Sequence, residues 1–178
     1  GRDVGTRVTM TFVFTDIEGS TRLFRRIGER YPALLERHNE LVRGALAAHD
    51  GVEVKTEGDA FFVAFADAVD AVEACAHAQR NLAAEPWPAD AQMRVRFGVH
   101  TGLASPRGED YVAFAVHQAA RVVSAGHGGQ ILVSSETARR ALALETVTLE
   151  SLGHFRVRDF DEPLEVFHKF FMDGKPFI

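Results

Sequence analysis

Two aspartates in the sequence occupy positions at which a divalent cation could bind. Asp16 follows residues 8–15, which are rich in β-branched and aromatic side chains and therefore predict a strand. Asp59 lies at the Gly-Asp tip of a predicted β-hairpin formed by residues 52–55 and 60–65. A sheet that brought both carboxylates together would offer the few oxygen ligands that Mg²⁺ or Mn²⁺ needs when substrate phosphates complete its shell. Taken singly, each aspartate is explained more simply by a helix cap or a turn.

The segment that follows Asp16 could bind a phosphate group. Residues 17–21, called here the phosphate-binding segment, bring a glycine and two hydroxyls to the start of a predicted helix. Free backbone N–H groups at a helix start favour an anion. The segment lacks the Gly-Lys-Ser/Thr sequence of a Walker A loop. A second interpretation stays open, in which Ser20 or Thr21 simply caps the helix.

A histidine and an arginine share one face of a later predicted helix. His117 and Arg121 are four residues apart, in a stretch that is apolar around most of the helix. An arginine in such surroundings needs either an acidic partner in its own chain or an anionic ligand. The residues themselves leave both explanations open.

Lys55 and Asp110 together have the hydrogen-bonding capacity to recognise adenine. A lysine offers only donors, and an ionised aspartate offers only acceptors. Adenine presents a ring-nitrogen acceptor beside an amino donor, which this pair matches, whereas guanine presents the reverse pattern. Each residue considered separately is equally consistent with a solvated surface charge.

The predicted elements place these side chains in an α+β fold. Their order is β-α-α-β-β-α-β-α-β with extra strands at the end, which favours a mixed sheet with helices packed on one face. Strands are predicted at residues 8–15, 52–55, 60–65, 93–99, 130–134, 156–158 and 164–171. Helices are predicted after Gly19, from Pro32 to Asp50, from Asp67 to the residues before Pro86, within 110–124, and at 136–144.

Apolar spacing predicts which helix faces are buried. On the first helix, Leu23, Phe24 and Ile27 share one face. On the second, a stripe at helical spacing includes His38 together with Leu34, Leu35, Leu41, Val42, Ala45 and Leu46. We therefore expect one histidine to lie within the core.

Composition limits the classes of protein to which the chain can belong. Its 178 residues, 46% hydrophobic and 25% charged, fit one globular domain and exclude a disordered or collagenous chain. A net charge of −5 argues against a general nucleic-acid binder. The single cysteine, Cys75, excludes an intramolecular disulfide and a cysteine zinc cluster. No apolar run approaches the roughly 18 residues of a membrane span. We expect this domain to be cytoplasmic, and attachment of the full-length protein to a membrane stays open.

Six segments, taken together and in order, resemble the class III nucleotidyl cyclases, the adenylyl and guanylyl cyclase catalytic domains. The bacterial-type branch of the family looks most similar. The segments are residues 14–21 (FTDIEGST), 55–59 (KTEGD), 96–102 (RFGVHTG), 110–111 (DY), 119–121 (AAR) and 128–131 (GGQI).

The resemblance implies a fold and an activity. The fold is a ferredoxin-like βααββαβ core with extra C-terminal strands, assembled as a head-to-tail homodimer with two active sites in the interface. The activity is an adenylyl cyclase that converts ATP to cyclic AMP and pyrophosphate. In that reaction the ribose 3′-hydroxyl attacks the α-phosphate with the help of two Mg²⁺ or Mn²⁺ ions per site.

The resemblance also implies roles for individual residues. The metal ligands would be Asp16, Ile17 and Asp59. The triphosphate would contact the backbone of Ile17, Glu18, Gly19, Ser20 and Thr21 together with Arg96. Lys55 and Asp110, supplied by the other subunit, would recognise the adenine base. Arg121 would stabilise the transition state, and His117 would stand where the family usually has an asparagine that orients the ribose.

Two departures from the family pattern keep alternatives open. His117 replaces the usual asparagine, and we expect this to lower turnover rather than abolish it. Ala113-Phe114 replaces a frequent Gly-Pro pair. The alternatives are a catalytically weak cyclase-homology module for dimerisation or nucleotide binding and, less favoured by the Lys55 and Asp110 pair, a guanylyl cyclase.

The resemblance extends through most of the chain. We expect residues 1–6 to be a linker from an upstream regulatory region, residues 7–171 to form the catalytic domain, and residues 172–178 to be a tail.

Overall fold

The structure is a computed structural model that describes residues 8–104, 127–141, 149–155 and 164–169. None of the helices in these ranges is both long and apolar enough to cross a membrane. The elements, in chain order, are β1 (Val8–Ile17), α1 (Ser20–Ile27), a 3₁₀ turn (Gly28–Arg30), α2 (Tyr31–Ala48), β2 (Val52–Glu57), β3 (Ala60–Phe65), α3 (Ala68–Ala84), β4 (Val95–Ala104), β5 (Ile131–Ser134), α4 (Ser135–Ala141), β6 (Leu149–Phe155) and β7 (Leu164–Lys169).

The strands form a seven-stranded mixed sheet in the order β2-β3-β1-β4-β5-β7-β6. β1 lies between β3 and β4 and pairs antiparallel with both of them. β5 then runs parallel to β4, and β7 and β6 continue the sheet antiparallel. The β2-β3-β1-β4 order is that of a ferredoxin-like core, so the predicted fold class is confirmed.

One face of the sheet packs against the helices. Because side chains alternate along a strand, Val13 and Ile17 of β1 face the same side. They lie in one buried cluster with apolar residues of β3, β4, β5 and the four helices of the described residues. On the opposite face, the rings of Phe12 and Phe62 stack in parallel, with their centroids 5.5 Å apart.

The first residues of α3 and α1 are capped in different ways. The helix predicted to begin at Asp67 does so, and Asp67 caps α3, since its Oδ1 accepts a hydrogen bond from the N–H of Val69 at 2.7 Å. The prediction that Ser20 or Thr21 caps α1 is wrong, because Gly19 occupies the cap position and no side chain caps this helix.

Three further predictions differ from the structure in detail. Phe24 is 53% exposed, whereas Leu23 and Ile27 on the same predicted face are buried. β4 extends from Val95 to Ala104, later than the predicted 93–99. The edge strand that pairs with β7 is Leu149–Phe155, while the predicted strand at 156–158 lies outside the described residues. The helix predicted within 110–124 also lies outside them.

His38 of α2 is fully buried, as the apolar stripe predicts. Its Nδ1 lies 2.7 Å from the Asn39 amide oxygen, and its Nε2 is buried with no hydrogen-bond partner among the described residues. Burial lowers the pKa of His38, and the opposing effects of the Asn39 hydrogen bond and the Asp59 charge are smaller. The folded protein therefore holds this imidazole in its neutral form.

This burial makes stability depend on pH. Since the pKa of His38 is lower in the folded than in the unfolded chain, the unfolded chain binds more protons below the ordinary histidine pKa of 6.5. We expect His38 to reduce the free energy of unfolding as the pH falls below that value, by on the order of 1 kcal/mol per pH unit. Urea unfolding from about pH 7.5 to about pH 5 should show a shallower decline in His38→Gln than in wild type. His127→Gln, which removes an exposed histidine, is the control; equal slopes in wild type and His38→Gln would contradict the prediction.

Candidate active site

Asp16 and Arg96 form an ion pair across two neighbouring strands. They are direct partners in the antiparallel register of β1 and β4, so their side chains lie on the same face of the sheet. The Nε and Nη2 atoms of Arg96 each donate a hydrogen bond to Asp16, both at 2.7 Å. The two side chains are only 24% and 23% exposed. These hydrogen bonds raise the pKa of the Arg96 guanidinium, so the site contains a permanent cation.

The hairpin between β2 and β3 brings Asp59 to the same place. Its Oδ2 accepts a hydrogen bond from the backbone N–H of Ile17 at 2.7 Å, although the two residues are 42 positions apart. This contact joins the tip of the hairpin to the end of β1, directly beside Asp16. Burial and the nearby Asp59 charge together raise the pKa of Tyr31 at the start of α2. The two aspartates singled out from the sequence are thus brought together.

The phosphate-binding segment lies at the start of α1. Gly19 has a φ of 68°, a left-handed conformation that glycine adopts without strain, and it is the cap residue. The N–H of Ile17 donates to Asp59, and the N–H of Glu18 donates to the carbonyl oxygen of Arg94 at 2.8 Å. These two amides are therefore occupied, whereas those of Gly19, Ser20 and Thr21 find no acceptor within the described part of the chain.

These groups surround one open pocket of about 350 Å³. It contains both carboxylates, the Arg96 guanidinium and the start of α1. Residues that the sequence did not single out also line it, among them Arg22, which follows the phosphate-binding segment. The lining residues are Phe14, Asp16, Ile17, Gly19, Ser20, Thr21, Arg22, Asp59, Ala60 and Arg96.

The donor set fits a hard divalent cation. Asp16 and Asp59 supply carboxylate oxygens, which Mg²⁺ and Mn²⁺ prefer over nitrogen or sulfur. Each carboxylate has more lone-pair positions than its observed hydrogen bonds use. Within the described ranges, no group of three or more His, Cys, Asp or Glu side chains is arranged to hold a metal. A cation at this site would therefore depend on ligands from water and substrate as well.

Glu18 has a structural contact that its sequence position did not indicate. Its Oε2 accepts a hydrogen bond from the N–H of Gly128 at 2.7 Å. A Cβ atom at Gly128 would lie 2.4 Å from the Cβ of Arg94, so only glycine fits there. In the sequence, the GGQI segment at 128–131 was the feature that pointed to this contact. In the structure, Gly128 holds the turn before β5 against the start of α1.

Of the remaining predicted site residues, Lys55 does not line this pocket, and three lie outside the described residues. Lys55 of β2 is 59% exposed and pairs with Glu57 at 2.8 Å, an exposed contact that contributes less than about 1 kcal/mol. Asp110, His117 and Arg121 lie in residues 105–126, outside the described residues.

The chain is similar to known cyclases over most of its length. It is 36% identical over 152 residues to an adenylate cyclase of Podospora anserina, covering 71% of this chain and 7% of that protein. It is 29% identical over 212 residues to a receptor-type adenylate cyclase of Trypanosoma congolense, covering 94% of this chain and 28% of that protein. The chain thus spans a small part of the length of these relatives.

Its fold is that of a solved structure as well. The structure of a Trypanosoma brucei adenylate cyclase in its monomeric state superposes with a TM-score of 0.82 at 21% identity, covering 96% of this chain and 91% of that one. The family model described as "Adenylate and Guanylate cyclase catalytic domain" matches residues 5–172. With the sheet order and the paired aspartates already in place, this match identifies the chain as a member of the adenylate and guanylate cyclase catalytic domain family.

Proposed function

We propose that this domain is an adenylyl cyclase, which converts ATP to cyclic AMP and pyrophosphate at sites formed between two copies of the chain. The observation that supports the proposal most is the meeting of Asp16 and Asp59 at the end of β1, beside Arg96 and the start of α1. Adenylate cyclase is also the activity named for both relatives described above.

The triphosphate binds where positive charge converges with N–H groups that have no acceptor among the described residues. The amides of Gly19, Ser20 and Thr21 donate to phosphate oxygens, and the positive end of the α1 dipole adds to the attraction. Because the Ile17 and Glu18 amides already have protein acceptors, these two residues shape the segment rather than bind phosphate through their N–H groups. Arg96 lines the same pocket and offers a further guanidinium to the phosphates.

Asp16 and Asp59 would hold the divalent cations, and the backbone carbonyl oxygen of Ile17 would be a further ligand. Two Mg²⁺ or Mn²⁺ ions per site, when bound, would neutralise the triphosphate charge and lower the pKa of the ribose 3′-hydroxyl. Arg121 provides a fixed cation for the charge that develops on the α-phosphate. His117 donates a hydrogen bond that positions the ribose.

The base is recognised across a homodimer interface. Lys55 is exposed and is not among the residues that line the pocket of its own chain, which is consistent with a role in the partner's site. Together with Asp110 it accepts and donates the hydrogen bonds that adenine requires. A head-to-tail arrangement gives each of the two pockets one Lys55 and one Asp110 from the other subunit.

The test is direct. The purified domain is incubated with ATP or GTP and with Mg²⁺ or Mn²⁺, and the cyclic product is separated by chromatography. We expect cyclic AMP, with a rate per chain that rises with protein concentration as dimers form. Asp59→Ala and Arg121→Ala are the inactive controls.

Each other outcome has a defined meaning. Faster conversion of GTP would identify a guanylyl cyclase instead. Nucleotide binding without cyclic product above the two controls, at concentrations at which the dimer is present, would identify a non-catalytic module and overturn the enzyme proposal.

A further inference from the structure

A pair of histidines lies on the helical layer, away from the pocket described above. His49 directly follows α2, and His77 lies in the middle of α3. The Nε2 atom of His49 is 3.2 Å from the Nδ1 atom of His77, and the contact is partly buried. The two rings meet edge to face, with centroids 5.3 Å apart and an interplanar angle of 73°.

This spacing is that of two nitrogen ligands on one metal ion. Two imidazole nitrogens that each bind Zn²⁺ at about 2.0 Å with a tetrahedral angle between them are about 3.3 Å apart. In the absence of a metal, one neutral ring donates its N–H to the other, so the pair shares one proton between two nitrogen lone pairs. A divalent cation takes the place of that proton when both nitrogens are deprotonated.

The helices hold the two rings in place. α2 and α3 pack against each other and against the sheet through buried residues on both sides of the pair, including Ala45, Leu46 and Ala76. The rings therefore need little rearrangement to bind, which reduces the entropic cost of assembling a two-ligand site.

A carboxylate stands on the same face of α3. Glu73 precedes His77 by four residues, one helical turn away. Its Oε1 atom is buried and has no hydrogen-bond partner among the described residues. Among the described residues, no group of three His, Cys, Asp or Glu side chains is placed to hold a metal ion. The two histidines are therefore the protein ligands, and Glu73 lies one helical turn from His77.

We propose that His49 and His77 form a binding site for an imidazole-preferring divalent cation of the Zn²⁺ class, which links the end of α2 to α3, with water completing the coordination shell. Imidazole favours Zn²⁺, Ni²⁺ and Cu²⁺, whereas carboxylate oxygens favour Mg²⁺ and Mn²⁺. The site is thus chemically distinct from that of Asp16 and Asp59, and it is independent of the cyclase activity proposed above.

Calorimetric titration with Zn²⁺ tests the proposal. For this titration the protein is prepared without a histidine tag. Mg²⁺ is added in large excess so that sites with oxygen ligands are already filled. We expect one Zn²⁺ per chain, and an increase in the midpoint of thermal unfolding when Zn²⁺ is added. In His49→Gln and in His77→Gln, the affinity should fall by at least about tenfold, since even residues behind a metal ligand cost that much. His127→Gln removes an exposed histidine elsewhere and should bind as wild type does.

A second measurement uses the unaltered protein. Zn²⁺ should shift the ring resonances of His49 and His77 in nitrogen-detected NMR spectra and leave those of the buried His38 in place. The proposal is overturned if His77→Gln retains wild-type Zn²⁺ affinity, if Mg²⁺ displaces the Zn²⁺, or if the shifted resonances belong to other histidines.

Discussion

Replacing Asp59 by asparagine should reduce cyclic AMP formation by about 100-fold or more, while the fold remains intact. The substitution retains an oxygen that can accept the hydrogen bond from the Ile17 N–H, which is 2.7 Å long in the structure. It removes the negative charge that a divalent cation needs, and such a cation supplies several kcal/mol of transition-state stabilisation. The change therefore separates cation binding from the link between the hairpin and β1.

Asp59→Ala and Asp67→Asn are the variants with which Asp59→Asn is compared. Asp59→Ala also removes the hydrogen bond to Ile17, so it should lose activity to the same extent and in addition lower the free energy of unfolding by about 1–3 kcal/mol. Asp67→Asn is the matched control, because Asp67 also accepts a backbone hydrogen bond at 2.7 Å but lies at the cap of α3, outside the pocket. Cyclic AMP formation and urea unfolding are measured for all three variants. Near-wild-type activity in Asp59→Asn would show that Asp59 binds no catalytic cation.

Arg96→Gln should change metal affinity and turnover in opposite directions. In the structure the guanidinium occupies the Asp16 carboxylate with two hydrogen bonds of 2.7 Å. A cation that binds Asp16 must compete with this positive charge, so removing the charge should strengthen Mn²⁺ binding several-fold in the absence of nucleotide. Turnover with ATP should fall by about 10-fold or more, because the guanidinium is lost as a phosphate ligand.

The midpoint of thermal unfolding is a second measure of the competition between Arg96 and a cation for Asp16. Without metal, Arg96→Gln removes the counter-ion that the described structure gives the half-buried Asp16 charge beside Asp59, so the midpoint of thermal unfolding should drop. Added Mn²⁺ should restore it by more than it raises the wild-type value. Arg94→Gln, two residues earlier and exposed, is the control and should leave Mn²⁺ affinity unchanged. Mn²⁺ binding that is equal in Arg96→Gln and wild type would show that Arg96 does not compete for Asp16.

Most of the fold could be predicted from local sequence patterns. The run of β-branched and aromatic residues at 8–15 falls within β1, and the Gly-Asp tip falls between β2 and β3. Asp67 caps α3 because its side chain reaches the amide of Val69, a contact within the same turn. These features depend on residues close in the chain, so their sequence signals are sufficient.

Boundaries that depend on distant residues were predicted less well. β4 extends to Ala104 because β1 offers it pairing partners as far as Val8, which the composition of β4 does not indicate. Likewise, the edge strand beside β7 is Leu149–Phe155, a segment without strict alternation whose register shifts between Ser151 and His154. The exposure of Phe24 depends on where α1 lies against the sheet rather than on its spacing from Leu23.

The sequence by itself determined the family, the α+β architecture and the types of residue that could bind cations and phosphates. The tertiary structure decided how those residues are connected. Asp16 meets Arg96 across 80 positions, and Asp59 reaches the Ile17 amide across 42 positions. It also decided which amides of the phosphate-binding segment remain available, since the acceptor for Glu18 comes from the residue before β4. The physical reason is that charge compensation and hydrogen-bond satisfaction depend on atoms within a few ångströms, and strand register places those atoms there.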